Sequence, residues 1–185
     1  MSDELLIRFC APTLAGLKTG SMFSCAFPSR EALYGSVRAL NRRLVPKGLR
    51  VLPLRFSAGR GLIYVYRPEK LVRDLSDSAA GALLAGLGYP CARDGAERLL
   101  AALIRRLRQG GEFPHEIGLF LGYPAEDVLG FIEHRAGSTC TGCWRVYGDG
   151  NKAEKTFARF KKCTEAYCAR YRRGESVEAL AVAKI

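Results

Sequence analysis

No hydrophobic run in this chain approaches the roughly 20 residues needed to cross a bilayer, because charges and glycines interrupt every apolar stretch. A helical membrane span is therefore not expected. An export signal is not expected either: Asp3 and Glu4 stand where a secretory leader carries Lys or Arg, and the apolar stretch that follows stops at Pro12. The segment from Gly16 to Gly20 lacks the spacing of a phosphate-binding or dinucleotide loop, and Gly59, Arg60 and Gly61 read as a hairpin turn. No nucleotide cofactor is indicated, and the cofactor is left unknown. Internal repeats, low-complexity tracts and linkers are absent too, which argues for one domain over residues 1–185.

What is present fits a globular chain. At 185 residues and 48% hydrophobic content, a domain of this length buries roughly 70% of its unfolded surface. Seven cysteines form an odd, uneven set in a chain large enough to fold without staples, which points to reduced thiols and a cytoplasmic location. The formal net charge of +11 and pI near 9.6 concentrate polyanions at the surface, so nucleic acid, anionic lipid headgroups and acidic proteins are all physically reasonable partners.

The pattern along the chain predicts a short helix from Ser2 to Cys10 with Pro12 stopping it, a strand over Met22–Phe27, and a helix capped by Ser29 with Leu33, Val37, Leu40 and Leu44 on one stripe. Leu49–Phe56 and Leu62–Arg67 read as a hairpin, with Pro53 marking an edge or bulged strand. Helices are expected over Ser76–Leu87 and from Asp94, with Glu97 at the capping-box position. Ile117–Leu121 reads as a buried strand, Pro124 opens a helix with Glu126 and Asp127 in its first turn, and Cys143–Tyr147 reads as a last strand. A capping box at Asn151 and Glu154 then starts a long basic helix reaching Arg173. The sum is an α/β chain of the α+β type, with helices packed on a mixed sheet of four to five strands.

Several segments are specific: Cys10–Gly16 (Cys-Ala-Pro-Thr-Leu-Ala-Gly), Tyr64–Pro68 (Tyr-Val-Tyr-Arg-Pro), the whole of Phe113–Ile132, and Trp144–Asp149 (Trp-Arg-Val-Tyr-Gly-Asp). Together they resemble domain-of-unknown-function family 3793, found mainly in anaerobic Gram-positive bacteria, over nearly the whole chain. The resemblance implies no activity or cofactor. Through gene neighbours for ferrous-iron transport and flavodoxin it implies a link to iron or redox metabolism. This chain departs from the family pattern at Cys143, where an aromatic residue is usual.

The chemistry-bearing residues fall largely inside those segments. Cys10 and His115 would form a thiol and imidazole pair, nucleophile and base, if the fold brought them together; the alternative is a structural cysteine on an apolar helix stripe and a polar residue before a strand. Thr13 and Lys18 belong to a loop able to hold an anion, and Glu116, Asp127 and Trp144 complete the candidate ligand-binding set. Cys140 and Cys143 make a Cys-x-x-Cys, followed by Cys163 and Cys168. On one helix those last two lie about 140° apart, so only three of the four thiols can converge on an ion, and small incidental thiols are the simpler reading. Lys155, Arg159 and Lys162 lie on the basic face of the long helix and would track phosphates if the protein bound nucleic acid; a solvated face is the plainer account.

The expectation is a small-ligand or partner-binding accessory protein in iron or redox metabolism. A thiol-dependent enzyme using Cys10 and His115, and a basic nucleic-acid-binding module, are the alternatives.

Overall fold

The computed structural model describes residues 1–109, 112–134 and 136–183. Its contacts divide the chain into two compact units, residues 1–68 with 160–185, and residues 69–159. Both boundaries fall inside helices, so no linker marks them in the sequence.

The first unit is a layer of helices on a three-stranded antiparallel sheet. Helix α1 (Asp3–Leu14) is capped by the Ser2 hydroxyl, which accepts the Leu5 N–H, and Leu6, Ile7, Cys10, Ala11 and Leu14 form its buried stripe. The helix runs past Pro12. The carbonyl that this proline leaves without a helical donor belongs to Arg8, an exposed residue where water can serve. Strand β1 (Gly20–Ala26) follows, then α2 (Arg30–Leu44), capped by Ser29 as expected. The hairpin β2 (Arg50–Ser57) and β3 (Arg60–Tyr66) turns through Ala58 and Gly59, both at positive φ, and the sheet order is β1-β3-β2. Its register slips between Pro53 and Arg55, the irregularity that the proline announces. Phe23, Cys25, Val51, Ile63 and Val65 on one sheet face meet the stripes of α1 and α2 in a single apolar core.

The ends of this layer are tied by two arginines. Arg67, only 9% exposed, donates Nε–H to the Thr13 carbonyl at 2.8 Å and Nη2–H to the carbonyls of Leu14 at 2.6 Å and Val182 at 2.9 Å. It thereby caps the carbonyl end of α1, and burial pulls its pKa down. Arg43 of α2 pairs with Asp3 of α1 and with Glu178 of the short C-terminal helix Val177–Leu180.

The second unit is mostly helical: α3 (Pro68–Leu75), α4 (Ser78–Gly86), α5 (Ala96–Gln109), α6 (Ile117–Phe120), α7 (Ala125–Ile132), a two-stranded antiparallel ribbon of β4 (Cys140–Thr141) and β5 (Arg145–Val146), and the first half of α8 (Gly150–Arg172). Asp149 caps α8 through the Lys152 N–H, in place of the expected Asn151.

The α+β class stands, but among the described residues the strands are divided between a three-stranded and a two-stranded sheet, and every pairing is antiparallel. The expected mixed sheet fails at Ile117–Leu121, which is helix α6. Four consecutive buried residues, Ile117 to Phe120, carry no period, so strand and helix look alike in them. The helix is decided by its surroundings: Gly122 at φ 78° ends it, with the Tyr123 N–H donating back to the Gly118 carbonyl. The expected strand Cys143–Tyr147 shrinks to Arg145–Val146 because its neighbours turn to meet a buried carboxylate.

Candidate functional site

Three pieces of the second unit converge: the turn at His115 leading into α6, the first turns of α7, and the β4–β5 ribbon. The approach of α6 to α7 needs Gly118, since a Cβ there would lie 2.8 Å from the Val128 side chain. On α7, Asp127 is 3% exposed. Its Oδ2 accepts the indole Nε1–H of Trp144 at 2.7 Å, and its Oδ1 accepts the backbone N–H groups of Tyr147 at 2.7 Å and Gly148 at 2.9 Å. A buried carboxylate is costly unless hydrogen-bonded, and three N–H donors meet that requirement here. Asp127 is thus the clasp that fixes the ribbon and orients Trp144.

Trp144 is held on two further sides. It stacks on Tyr123 with centroids 4.7 Å apart and meets the Phe157 ring edge-on at 4.6 Å. The Tyr123 hydroxyl donates to the Cys143 carbonyl at 3.2 Å, and burial pushes its pKa up to about 12.

Beside this indole opens a cleft of about 200 Å³, walled by His115, Tyr123, Asp127, Val128, Phe131 and Trp144, with Arg145 also on its lining. His115 packs edge-on against Phe131 with centroids 4.9 Å apart, and its Nε2 lies 3.4 Å from the Glu112 carboxylate. Phe131 remains 38% exposed. Arg145 is exposed and forms no ion pair among the described residues. Such an arrangement binds flat apolar groups by stacking.

Glu116 does not line the cleft. Buried at 5% exposure, it accepts the Tyr89 hydroxyl at 2.9 Å and lies 3.4 Å from Arg106, which sits 4.9 Å over the Tyr89 ring and donates to the Leu87 carbonyl. Burial first, and the Glu116 hydrogen bond second, push the Tyr89 phenol well above its ordinary range. This network ties the end of α4 to α5 and to the His115 turn.

Of the sequence candidates, His115, Asp127 and Trp144 meet at one cleft. Cys10 lies in the first unit with no exposure, its thiol pushed up by burial, which is the environment of an inert cysteine. Thr13 is buried too, its hydroxyl 2.8 Å from that of Ser21, and Lys18 sits in the half-buried turn after α1 with its N–H on the Pro12 carbonyl. Cys140 stands in the ribbon opposite Val146, whereas Cys143 is exposed in the turn, and neither is joined in a disulfide among the described residues. Among the described residues no three His, Cys, Asp or Glu side chains are grouped to hold a metal ion. Lys155, Arg159 and Lys162 are exposed on α8. A second cavity of about 260 Å³, between α4 and the Tyr89–Arg93 segment, is walled mainly by short side chains, and its Asp77 is occupied as the α4 cap.

Sequence reasoning does not single out Tyr123, Phe131 or Arg145. Their signal is the density of aromatic residues in two separate segments, Phe113–Ile132 and Trp144–Tyr147, which only the fold shows to be one wall.

A family model described as "Protein of unknown function (DUF3793)" matches residues 6–181. No curated protein and no solved structure matches the chain.

Proposed function

The chain belongs to the DUF3793 family, and from that premise we propose that it is a small-ligand-binding accessory protein whose ligand occupies the aromatic cleft at Trp144. The supporting observation is the investment made in one side chain. A buried carboxylate, a stacked tyrosine and an edge-on phenylalanine all fix the indole beside a cleft that His115 and the partly exposed Phe131 also line. A concave apolar site with a few placed polar groups is what small-molecule recognition requires.

Trp144 is the only tryptophan in the chain, so its indole N–H gives one identifiable resonance and its emission reports this site alone. A fragment library screened against that resonance tests the reading. Binders that shift it in the native protein and lose affinity in Phe131→Ala support the proposal. A screen in which binders act elsewhere and leave Trp144 unmoved counts against it.

A place in iron or redox metabolism rests on the resemblance alone. Native mass spectrometry of anaerobically purified protein tests it, since a stoichiometric iron or redox-cofactor increment supports that setting and a bare polypeptide mass weakens it.

A second reading, polyanion binding along α8, has its own observation. Lys155, Arg159 and Lys162 are exposed within a sector of about 60° at 100° per residue, and Glu154 and Glu165 fall outside it. Binding to duplex DNA that weakens steeply with salt, and also after charge reversal at these three positions, would support it.

A further inference from the structure

We propose that the occupant of the cleft is a small aromatic acid: a single flat ring carrying a carboxylate, stacked on the wall formed by Trp144 and Tyr123 with its anion on Arg145. This inference rests on the cleft being a ligand site and adds the class of ligand.

Size sets the first bound. Pockets for drug-sized ligands run to roughly 300–1,000 Å³, and this cleft has about 200 Å³. One ring with a short substituent fits that space, and a dinucleotide or a tetrapyrrole does not.

The walls set the second. Trp144 and Tyr123 form one side as a stacked pair, and Phe131 with His115 forms another, so a flat ring gains both stacking and edge contacts. The polar groups at the wall are largely committed. The Tyr123 hydroxyl donates to a carbonyl, the Trp144 N–H donates to Asp127, and the Asp127 carboxylate takes three N–H groups at 3% exposure.

Charge sets the third. An aromatic wall with a carboxylate in it would suit a cation if that carboxylate faced the cleft unspent, but Asp127 is spent on the ribbon. Arg145 also lines the cleft, an exposed residue without an ion pair among the described residues. Its planar fork matches a carboxylate, and the protein's net charge of +11 raises the local concentration of anions and lowers that of cations.

Benzoate, benzamide and benzamidine are near-identical in shape and differ in charge, which makes them the probes, with acetate as an anion that lacks a ring. Each is titrated to about 20 mM, the range expected of a nine-atom ligand, into the full-length protein while the Trp144 indole resonance is followed. Benzoate is expected to bind roughly fivefold more tightly than benzamide, benzamidine more weakly than benzamide, and acetate not at all. Arg145→Gln should bring benzoate to the level of benzamide and leave benzamide unchanged, with the Trp144 resonance of the free protein in place as proof of fold. Equal binding of the three ring compounds would overturn the ligand class while leaving the cleft as a binding site. Preference for benzamidine would overturn it in favour of a cation site. If none of the three shifts the Trp144 resonance, the cleft reading itself falls and takes this inference with it.

Discussion

The Asp127 carboxylate accepts the indole N–H of Trp144 at 2.7 Å on one oxygen while its other oxygen takes the backbone N–H groups of Tyr147 and Gly148. One side chain from the first turn of α7 therefore sets the course of the β4–β5 ribbon and the attitude of the ring beside the cleft. Local structure and site geometry share a single cause here.

Asp127→Asn tests that cause. The amide oxygen can still receive the two backbone donors, but its NH2 group would face the indole N–H, donor against donor. Loss of a charge-assisted bond in a buried setting should cost about 2–3 kcal/mol. The urea midpoint followed by Trp144 emission measures it, together with a displaced indole resonance. An unchanged midpoint would mean that the carboxylate does not hold the ribbon.

Arg67 does the corresponding service in the first unit, where it gathers the carbonyls of Thr13, Leu14 and Val182 with no carboxylate pairing to it among the described residues. Arg67→Met would strand these acceptors and should cost about 3 kcal/mol or more. Arg67→Lys keeps the charge, but one ammonium cannot reproduce the fork, so it should recover only part of the loss. Chemical denaturation of both variants decides the point, and an Arg67→Lys protein as stable as the native one would reduce Arg67 to a generic cation.

These two residues also show what is legible in the sequence and what is not. The helix stripes, the Ser caps and the hairpin around Gly59 are local, and each is written within a few residues of itself. Arg67 reads in the sequence only as the end of a strand, because the carbonyls it serves lie 53 to 115 residues away. Ile117–Leu121 is ambiguous for a different reason: its residues from Ile117 to Phe120 are buried in an unbroken run and so show no period. Asp127 and Trp144 enter the candidate set through the family-like segments around them. Nothing in their spacing reveals that they bond to each other.

Two glycines should respond to alanine in opposite directions. A Cβ at Gly130 in α7 would lie 2.5 Å from the Tyr147 ring, whereas one at Gly35 in α2 meets nothing within 4 Å. Gly130→Ala is expected to destabilise by about 1–3 kcal/mol through overpacking. Gly35→Ala should stabilise by about 0.5–1 kcal/mol through helix propensity. Thermal unfolding of the pair checks both signs, and a neutral Gly130→Ala would show that the ribbon yields easily.

The cysteines should separate by accessibility. Cys91 and Cys143 are exposed, and Cys10 and Cys25 are buried with their thiols pushed up by desolvation. In the native protein at neutral pH, iodoacetamide should mark Cys91 and Cys143 first and reach Cys10 only on unfolding. Peptide mass spectrometry over time gives the order. Rapid, His115-dependent labelling of Cys10 would restore the thiol-enzyme reading that its burial argues against.

Acid should loosen the tie between the ends of the first unit. Glu178 is hydrogen-bonded and paired with Arg43, which holds its pKa down from 4.5 to about 2. The unfolded chain thus binds the proton that the folded chain refuses. The stabilisation is complete above about pH 4.5, where both forms are ionised, and is lost as the pH falls toward 2. Because the side chain is about one-third exposed, solvent screening should limit the contribution to about 1 kcal/mol. Glu178→Gln should therefore be less stable than the native protein at pH 6 and converge with it near pH 2. A difference that persisted undiminished at pH 2 would trace the cost to the shape of the side chain, and the charge on Glu178 would then have no part in holding α1, α2 and the C-terminal helix together.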